Sequence, residues 1–190
     1  LGHDWYRVEV TLEKLNVTKS TINTNCEELG GLVYSTTGYW SIKEIVFDVR
    51  KEKNPCSLCA NLRRGIINSV AQREGCNKIA LGHNLDDVIE TFIMNLKYAG
   101  NISTFSPKSY MDRSGITMIR PLILLTEKDT NHFVKKYNKQ VMPKVCPMDE
   151  NTKREDIKAE IFAWQKEIPT IKANLFGAIS RNIDGWKKSM

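Results

Sequence analysis

Two thiols and one polar strand end are the residues of this chain best suited to chemistry. Cys56 and Cys59 stand three apart, Arg63 and Arg64 follow one helical turn later, and Gly82-His83-Asn84-Leu85-Asp86-Asp87-Val88-Ile89-Glu90-Thr91 lies downstream. Thiolates bind iron or zinc, so the first group reads as a metal or sulfur site. The second reads as a site of ATP-dependent activation. In an open parallel sheet, ligands sit beyond the carboxyl ends of strands, where Gly82 lets backbone approach a ligand while His83 and Asn84 project from the crossover. Either group alone is weak: a C-x-x-C also occurs as a packed or redox pair, and a GHNLDD stretch can be an ordinary strand end. Their order and spacing together are far more specific.

The acidic residues carry two readings. Asn84 is a good N-cap, and Asp86 and Asp87 in the following turn suit the positive end of a helix, so both acids could simply stabilise the helix start. Placed near a nucleotide, they could instead bind Mg2+ and offset charge on the phosphates. Glu90 falls on the same helix face. Arg63 and Arg64 could grip phosphate bidentately or merely face solvent. Arg120 ends a strand at the ligand-binding edge and is a candidate phosphate contact, while Pro121 simply terminates that strand.

Cys56 and Cys59 directly precede a helix predicted from Ala60, and a helix start favours the thiolate form. Cys146 comes shortly before Thr152-Lys153-Arg154-Glu155, a T-x-x-E capping box. Three cysteines then sit near helix starts. Structural zinc and iron-sulfur clusters commonly take four ligands, so three thiolates leave one metal position open, and an open iron can hold an incoming sulfide. The competing reading is a zinc staple completed by His83, His132 or Asp149. Cys76 reads as a packed thiol, and Cys26 carries no assigned role.

The elements that must position these residues follow from periodicity. Val17 to Asn23, Lys78 to Leu81 and Thr117 to Leu122 read as strands, the second short and buried. Ala60 to Glu74 has Leu62, Ile66, Ile67 and Val70 at helical spacing; Asp86 to Tyr98 has Val88, Ile89, Phe92, Ile93 and Leu96. Alternating strands and helices predict an α/β fold with a parallel sheet covered on both faces. The composition of Asn101 to Gly115 predicts a loop, and the chain from Glu127 onward reads as mainly helical. Gly30-Gly31 and Gly38 punctuate Cys26 to Trp40, which is assigned no function.

The chain has 190 residues, 41% hydrophobic and 26% charged, enough for a single domain over 1–190 with a sizeable core. Its longest apolar run, Pro121 to Leu125, is too short to cross a bilayer, and no signal-peptide pattern opens the sequence, so a cytoplasmic protein without membrane contact is expected. Five cysteines, an odd number without disulfide spacing, fit a reducing compartment. The net charge of +6 is moderate. Basic clusters at Arg63-Arg64, Lys135-Lys136, Lys153-Arg154 and Lys187-Lys188 could draw in RNA phosphates or be solvated surface. Tyr98, Phe105 and Tyr110 could stack on bases, although core packing is the commoner fate for at least Tyr98.

From about Val46 to about Ser180 the chain resembles the tRNA 2-thiocytidine synthetases (TtcA) and their relatives among the N-type ATP pyrophosphatases. The resemblance runs through Cys56 to Gly65, Ala80 to Asp87, Ile119-Arg120-Pro121-Leu122 and Cys146-Pro147. It implies a Rossmann-like sheet of the PP-loop type with a helical C-terminal part from 127. It also implies that ATP, with Mg2+, adenylates a base of tRNA, which a [4Fe-4S] cluster on Cys56, Cys59 and Cys146 then thiolates. Asp86 and Asp87 would serve the phosphates, with Gly82, His83, Asn84, Arg63, Arg64 and Arg120 around the nucleotide. The implied target is cytidine in the anticodon loop, with a sulfide or persulfide donor such as a cysteine desulfurase as partner and a homodimer left open.

Two departures from that family stand out. Asp149 occupies the last position of what is a second C-x-x-C in some members. The Ser-Gly-Gly-x-Asp-Ser phosphate loop, which the family would place ahead of Val8, has no counterpart. A missing N-terminal segment is the expectation, and with it weak ATP binding and little turnover by the chain as given. Two other functions stay open: a tRNA 2-thiouridine synthetase, and a non-catalytic, zinc-stabilised RNA-binding module.

Overall fold

Contacts divide the chain into two units, Leu1–Cys76 and Asn77–Met190. The computed structural model describes residues 6–9, 32–35, 46, 50, 51, 55–139 and 152–187. The strand expected at Val17 to Asn23, the glycines of Cys26 to Trp40, and Cys26, Cys146 and Asp149 lie outside the described residues.

In the first unit, β1 (Tyr6–Glu9) pairs in parallel with β2 (Leu32–Ser35), Tyr6 opposite Leu32 and Glu9 opposite Ser35. Neither strand has a clear signature in the sequence. The helix α1 (Pro55–Arg73) begins ahead of the predicted Ala60. Pro55 explains the difference: its fixed φ is already helical and it has no N–H to leave unpaired in the first turn. Cys56 and Cys59 therefore lie within the opening turns of α1 instead of preceding it. Gly75, at φ +66°, supplies the left-handed residue that ends the helix, and the Cys76 N–H closes back on the Ala71 carbonyl at 2.7 Å.

The second unit runs β3 (Lys78–Ala80), α2 (Leu85–Ala99), β4 (Lys108–Met111), β5 (Ile116–Ile119), α3 (Glu127–Lys136), α4 (Lys153–Glu167) and α5 (Ile171–Asn182). Its sheet has the order β3-β5-β4, with β3 parallel and β4 antiparallel to β5. The sheet is therefore mixed instead of wholly parallel, because the predicted loop 101–115 contains β4. Its turn is closed by Gly115 at φ +68°, whose N–H meets the Met111 carbonyl at 2.9 Å. Composition hid this strand because Lys108 and Tyr110 are exposed and only the alternate residues turn inward. β3 differs from expectation too: Ile79 is buried, while Lys78 and Ala80 are exposed.

Three helices make the core. Val88, Ile89 and Ile93 of α2 meet Ile157 and Ile161 of α4 and Ile179 of α5, with Ile123, Ile183 and Trp186 closing the cluster. Each such side chain, fully buried, contributes about 1.5–3 kcal/mol. Trp186 is wholly enclosed, lies edge-on to Phe176 and donates its indole N–H to the Phe105 carbonyl at 3.1 Å. It thereby ties the end of the chain to the segment leading into β4. Gly185, at φ +90°, permits this approach, since a Cβ there would stand 2.9 Å from that of Ser106.

Charge also joins α2 to α4. Arg154 donates through Nη1 to Glu90 Oε2 at 2.9 Å and Asp87 Oδ1 at 3.2 Å, and through Nη2 to Thr91 Oγ1 at 3.1 Å. Farther along the same seam, Lys97 pairs with Glu160. Burial pushes the Glu90 carboxyl above its ordinary 4.5, and the Arg154 hydrogen bond opposes that rise.

Trp186→Ala is expected to cost about 3–5 kcal/mol, read from urea unfolding. Trp186→Phe, which fills most of the space but leaves the Phe105 carbonyl without its donor, should cost about 1–3 kcal/mol. For Glu90 the folded pKa lies above the unfolded one, so its contribution is most favourable below pH 4.5 and declines as pH rises through the folded value. Removing Arg154 raises the folded value further. Because Arg154 is itself partly solvated, Arg154→Met should cost about 1–3 kcal/mol near neutral pH. The deficit should shrink toward pH 4.5 and below. An equal deficit at both pH values would show that Arg154 acts through packing alone.

Candidate functional site

The start of α2 is built from the GHNLDD residues as the sequence predicts. Asn84 is the N-cap: its side chain accepts from the Asp87 N–H at 3.1 Å, and Asp87 Oδ2 accepts from the Asn84 N–H at 2.9 Å, completing a reciprocal box. Capping thus applies to Asp87, whose other oxygen takes the Arg154 bond. Asp87 remains about a third exposed, with its side chain at 30%. Gly82 is exposed, and a Cβ placed on it meets nothing within 4 Å, leaving room against the backbone there.

Asp86 behaves differently from the expectation that it stands beside Asp87 at a phosphate. It is buried, at 6% exposure, and both oxygens are engaged: Oδ2 accepts from the Glu127 N–H at 2.6 Å and Oδ1 from Lys172 Nζ at 2.5 Å. Together with the Leu85 N–H on the Leu125 carbonyl at 2.8 Å, this stitches the beginning of α2 to the beginning of α3. The physical reason is desolvation: a carboxylate buried this deeply needs a cation and a further donor, and α5 and α3 supply them.

Arg120 also turns inward. At 8% exposure its Nη1 donates to the Ser106 carbonyl at 2.6 Å and to Ser109 Oγ at 3.3 Å, and its guanidinium lies over the Phe105 ring at 4.8 Å. His83 packs on the same ring, centroids 4.8 Å apart. Phe105, expected as a base-stacking platform, is therefore an internal post carrying His83 and Arg120. Tyr98, expected in the core, is 42% exposed, and Lys153 Nζ lies 4.5 Å over its ring. Tyr110 is 62% exposed.

On α1, Cys56 is exposed and Cys59 half-buried, neither in a disulfide. Their spacing puts them on one helical face with Arg63, while Arg64 is turned further round; both arginines are exposed. No acid occupies the first turn, so the partial positive charge of the helix end is left for anionic ligands. Two thiols so placed suit a metal or cluster that takes its remaining ligands from elsewhere. Among the described residues no group of three or more His, Cys, Asp and Glu could hold a metal, and this includes His83 and His132. Cys76 is half-buried, its thiol 3.9 Å from the Glu74 carbonyl.

The partners Arg154, Lys158 and Lys172 are absent from the sequence-based site. The sequence leaves the Lys153-Arg154 cluster as phosphate-binding or solvated surface, yet Arg154 is taken up by Asp87, Glu90 and Thr91. The available signal was the count of acids at the start of α2, which burial obliges to find cations somewhere in the later helices.

The PP-loop domain family matches residues 16–164. A tRNA-cytidine(32) 2-sulfurtransferase of Janthinobacterium sp. (strain Marseille) is 40% identical over 129 residues, covering 67% of this chain and 41% of that protein. Another, from Geobacter metallireducens, is 34% identical over 150 residues, covering 78% and 57%. The chain spans about half the length of the curated relatives it matches. Among solved structures, the U34-tRNA thiolase NcsA from Methanococcus maripaludis with its [4Fe-4S] cluster superposes with a TM-score of 0.68 at 24% identity, over 95% of this chain and 62% of that one. That likeness is one of fold, and it agrees with the α/β layout of sheet and helices. No helix among the described residues is long and apolar enough to cross a membrane. On the family match over residues 16–164, the chain belongs to the PP-loop domain family.

Proposed function

We propose that the chain is the part of an ATP-dependent tRNA sulfurtransferase that makes 2-thiocytidine in the anticodon loop. The observation that carries this reading is the pair of thiols on the acid-free opening of α1, in a chain whose relatives are named tRNA-cytidine(32) 2-sulfurtransferases. In the proposed reaction the cytidine carbonyl oxygen attacks the α-phosphate of ATP and pyrophosphate leaves. Sulfide then adds to the activated carbon, and AMP departs with the oxygen. The sulfur comes from a donor such as a cysteine desulfurase in the cytoplasm, either as sulfide or as a persulfide whose outer sulfur is released as sulfide by a thiol that ends in a disulfide.

Cys56, Cys59 and Cys146 would hold a [4Fe-4S] cluster, which supplies an iron with room for an added sulfide. Arg63 shares the face of Cys56 and Cys59, where its fixed charge favours an approaching anion. At the start of α2, Asp87 is the carboxylate with solvent access and so the better candidate for Mg2+ on the phosphates. The role proposed for Asp86 is to fix where α2 and α3 begin, through its bonds to Glu127 and Lys172. The open backbone at Gly82 supports a nucleotide approaching there, while the neighbouring His83 and the strand-end Arg120 are both packed on the Phe105 ring.

Anaerobic purification should give a brown protein with about four irons per chain, and Cys56→Ala should lose them. A colourless protein holding one zinc would overturn sulfur transfer and favour a zinc-stabilised RNA-binding module. The carboxylates are separable by mass spectrometry of tRNA nucleosides from a thiolation-deficient strain expressing each whole-protein variant. Asp87→Asn, whose amide oxygen can still accept the Asn84 N–H but which loses the ion pair with Arg154, is expected to lower 2-thiocytidine by a factor of about 100 or more, far more than its modest drop in unfolding midpoint removes folded protein. Asp86→Asn should lower the midpoint, with 2-thiocytidine falling in step with folded protein. Restoration of 2-thiouridine in place of 2-thiocytidine would move the target to uridine.

A further inference from the structure

α3 does not pack as a surface helix ordinarily does. Such a helix lays an apolar stripe on the core, yet none of the residues of α3 is buried. The stripe Lys128, Asn131, His132 and Lys135, at the i, i+3, i+4, i+7 spacing of one helical face, instead borders a cleft of about 690 Å³. All four residues are exposed. Helix α4 forms the facing wall with Phe162 and Gln165.

Charge pairing within the cleft says what it would accept. Each of its carboxylates already has a cation: Asp86 has Lys172, Glu90 has Arg154, and Glu127 has Lys158, with contacts of 2.5, 2.9 and 2.8 Å. Among the described residues Lys128 and Lys135 form no ion pair or hydrogen bond, although Lys128 lies near enough to Asp129 to help hold its carboxyl low, so these two side chains carry the positive charge that the described part of the cleft leaves outside ion pairs. The opposite wall offers Phe162, 61% exposed with Lys166 Nζ 4.8 Å over its ring, and the Gln165 amide. One basic wall facing an aromatic one, with amides on both, is the chemistry of an unpaired nucleotide: phosphates to the lysines, base against the ring, base edges to the amides. An acidic peptide would use the lysines and leave the exposed ring without a purpose.

We infer that the cleft between α3 and α4 is a subsite for an unpaired nucleotide of the RNA, with Lys128 and Lys135 on its flanking phosphates and Phe162 stacked on its base. This rests on the proposed RNA-modifying function and adds where the RNA is held. The three side chains are exposed and outside the core cluster, so their substitution leaves the fold intact.

The test is fluorescence anisotropy of the full chain with a labelled anticodon stem-loop across a salt series, for wild type, Lys128→Ala/Lys135→Ala and Phe162→Ala. The lysine pair is expected to flatten the slope of log K against log salt by about 1.4–1.8, as for two lost phosphate contacts. Phe162→Ala should weaken binding of the stem-loop roughly 5- to 100-fold and of a fully paired duplex hardly at all. A stem-loop carrying 4-thiouridine in its loop should photo-crosslink to the α4 peptide containing Phe162. Wild-type binding with unchanged variants and no such crosslink would overturn the subsite while leaving the sulfurtransferase reading to its iron analysis. Failure of the wild-type chain to bind the stem-loop at all would overturn the subsite, and the iron and nucleoside measurements would still decide the function separately. Lysine effects that are matched by an acidic peptide competing at the cleft, with Phe162→Ala silent, would replace the RNA by a protein partner.

Discussion

The gathering of three carboxylates along the first turns of α2, two of them buried, is the constraint on which the rest of the second unit depends. Asp86, Asp87 and Glu90 sit where the polypeptide leaves β3 and begins to build its core, and two of them are removed almost entirely from water. A carboxylate in that position without a partner would cost several kcal/mol. The later helices resolve this by delivering cations to it: Arg154 from the start of α4 and Lys172 from the start of α5. The ion pairs therefore set where those two helices begin relative to α2, and the isoleucines of α4 and α5 then fall onto Val88, Ile89 and Ile93.

The same constraint fixes α3. Asp86 accepts from the first N–H of that helix, Lys158 bridges Glu127 to α4, and the Thr126 and Asp129 capping box finishes the turn. Among the described residues, the side-chain bonds that tie α3 to neighbouring elements lie at its N-terminal end. The Asp129 carboxyl is drawn below its usual range by the Thr126 hydroxyl and N–H, which keeps the cap charged to more acid pH than an ordinary aspartate. Glu127, in turn, holds the Lys158 ammonium above its ordinary range. The helix is anchored like a post at its foot, and its polar face stays available along its length.

Much of this was legible in the sequence because it is local. The 3.6-residue spacing of Val88, Ile89, Phe92 and Ile93 gave α2, Asn84 and Asp87 gave its cap, and Thr152 gave the start of α4, where its hydroxyl accepts from the Glu155 N–H. What was not legible is pairing across distance. Nothing near Asp86 in sequence indicates Lys172, and nothing near Arg120 indicates that Ser106 and Phe105 will occupy it. β4 is hidden in the sequence because alternate residues are exposed, so composition imitates a loop. Periodicity puts the start of α1 too late because it only becomes visible at Leu62, although Pro55 marks the true beginning.

Ion pairs of this kind are an inefficient way to hold helices together. Replacing buried pairs by well-packed apolar residues of similar volume is often neutral or stabilising by about 1–4 kcal/mol. Stability alone would favour an α3 that laid leucines across the seam to Ile161 and Phe162, and such a helix would close the cleft. With charges gathered at its foot and Lys128, Asn131, His132 and Lys135 along its face, α3 is fixed in place without filling the space beside it. The energetic disadvantage of the charged seam and the persistence of an open, unevenly charged cleft thus have one origin. Both follow if what belongs against α3 is an anion from outside the chain.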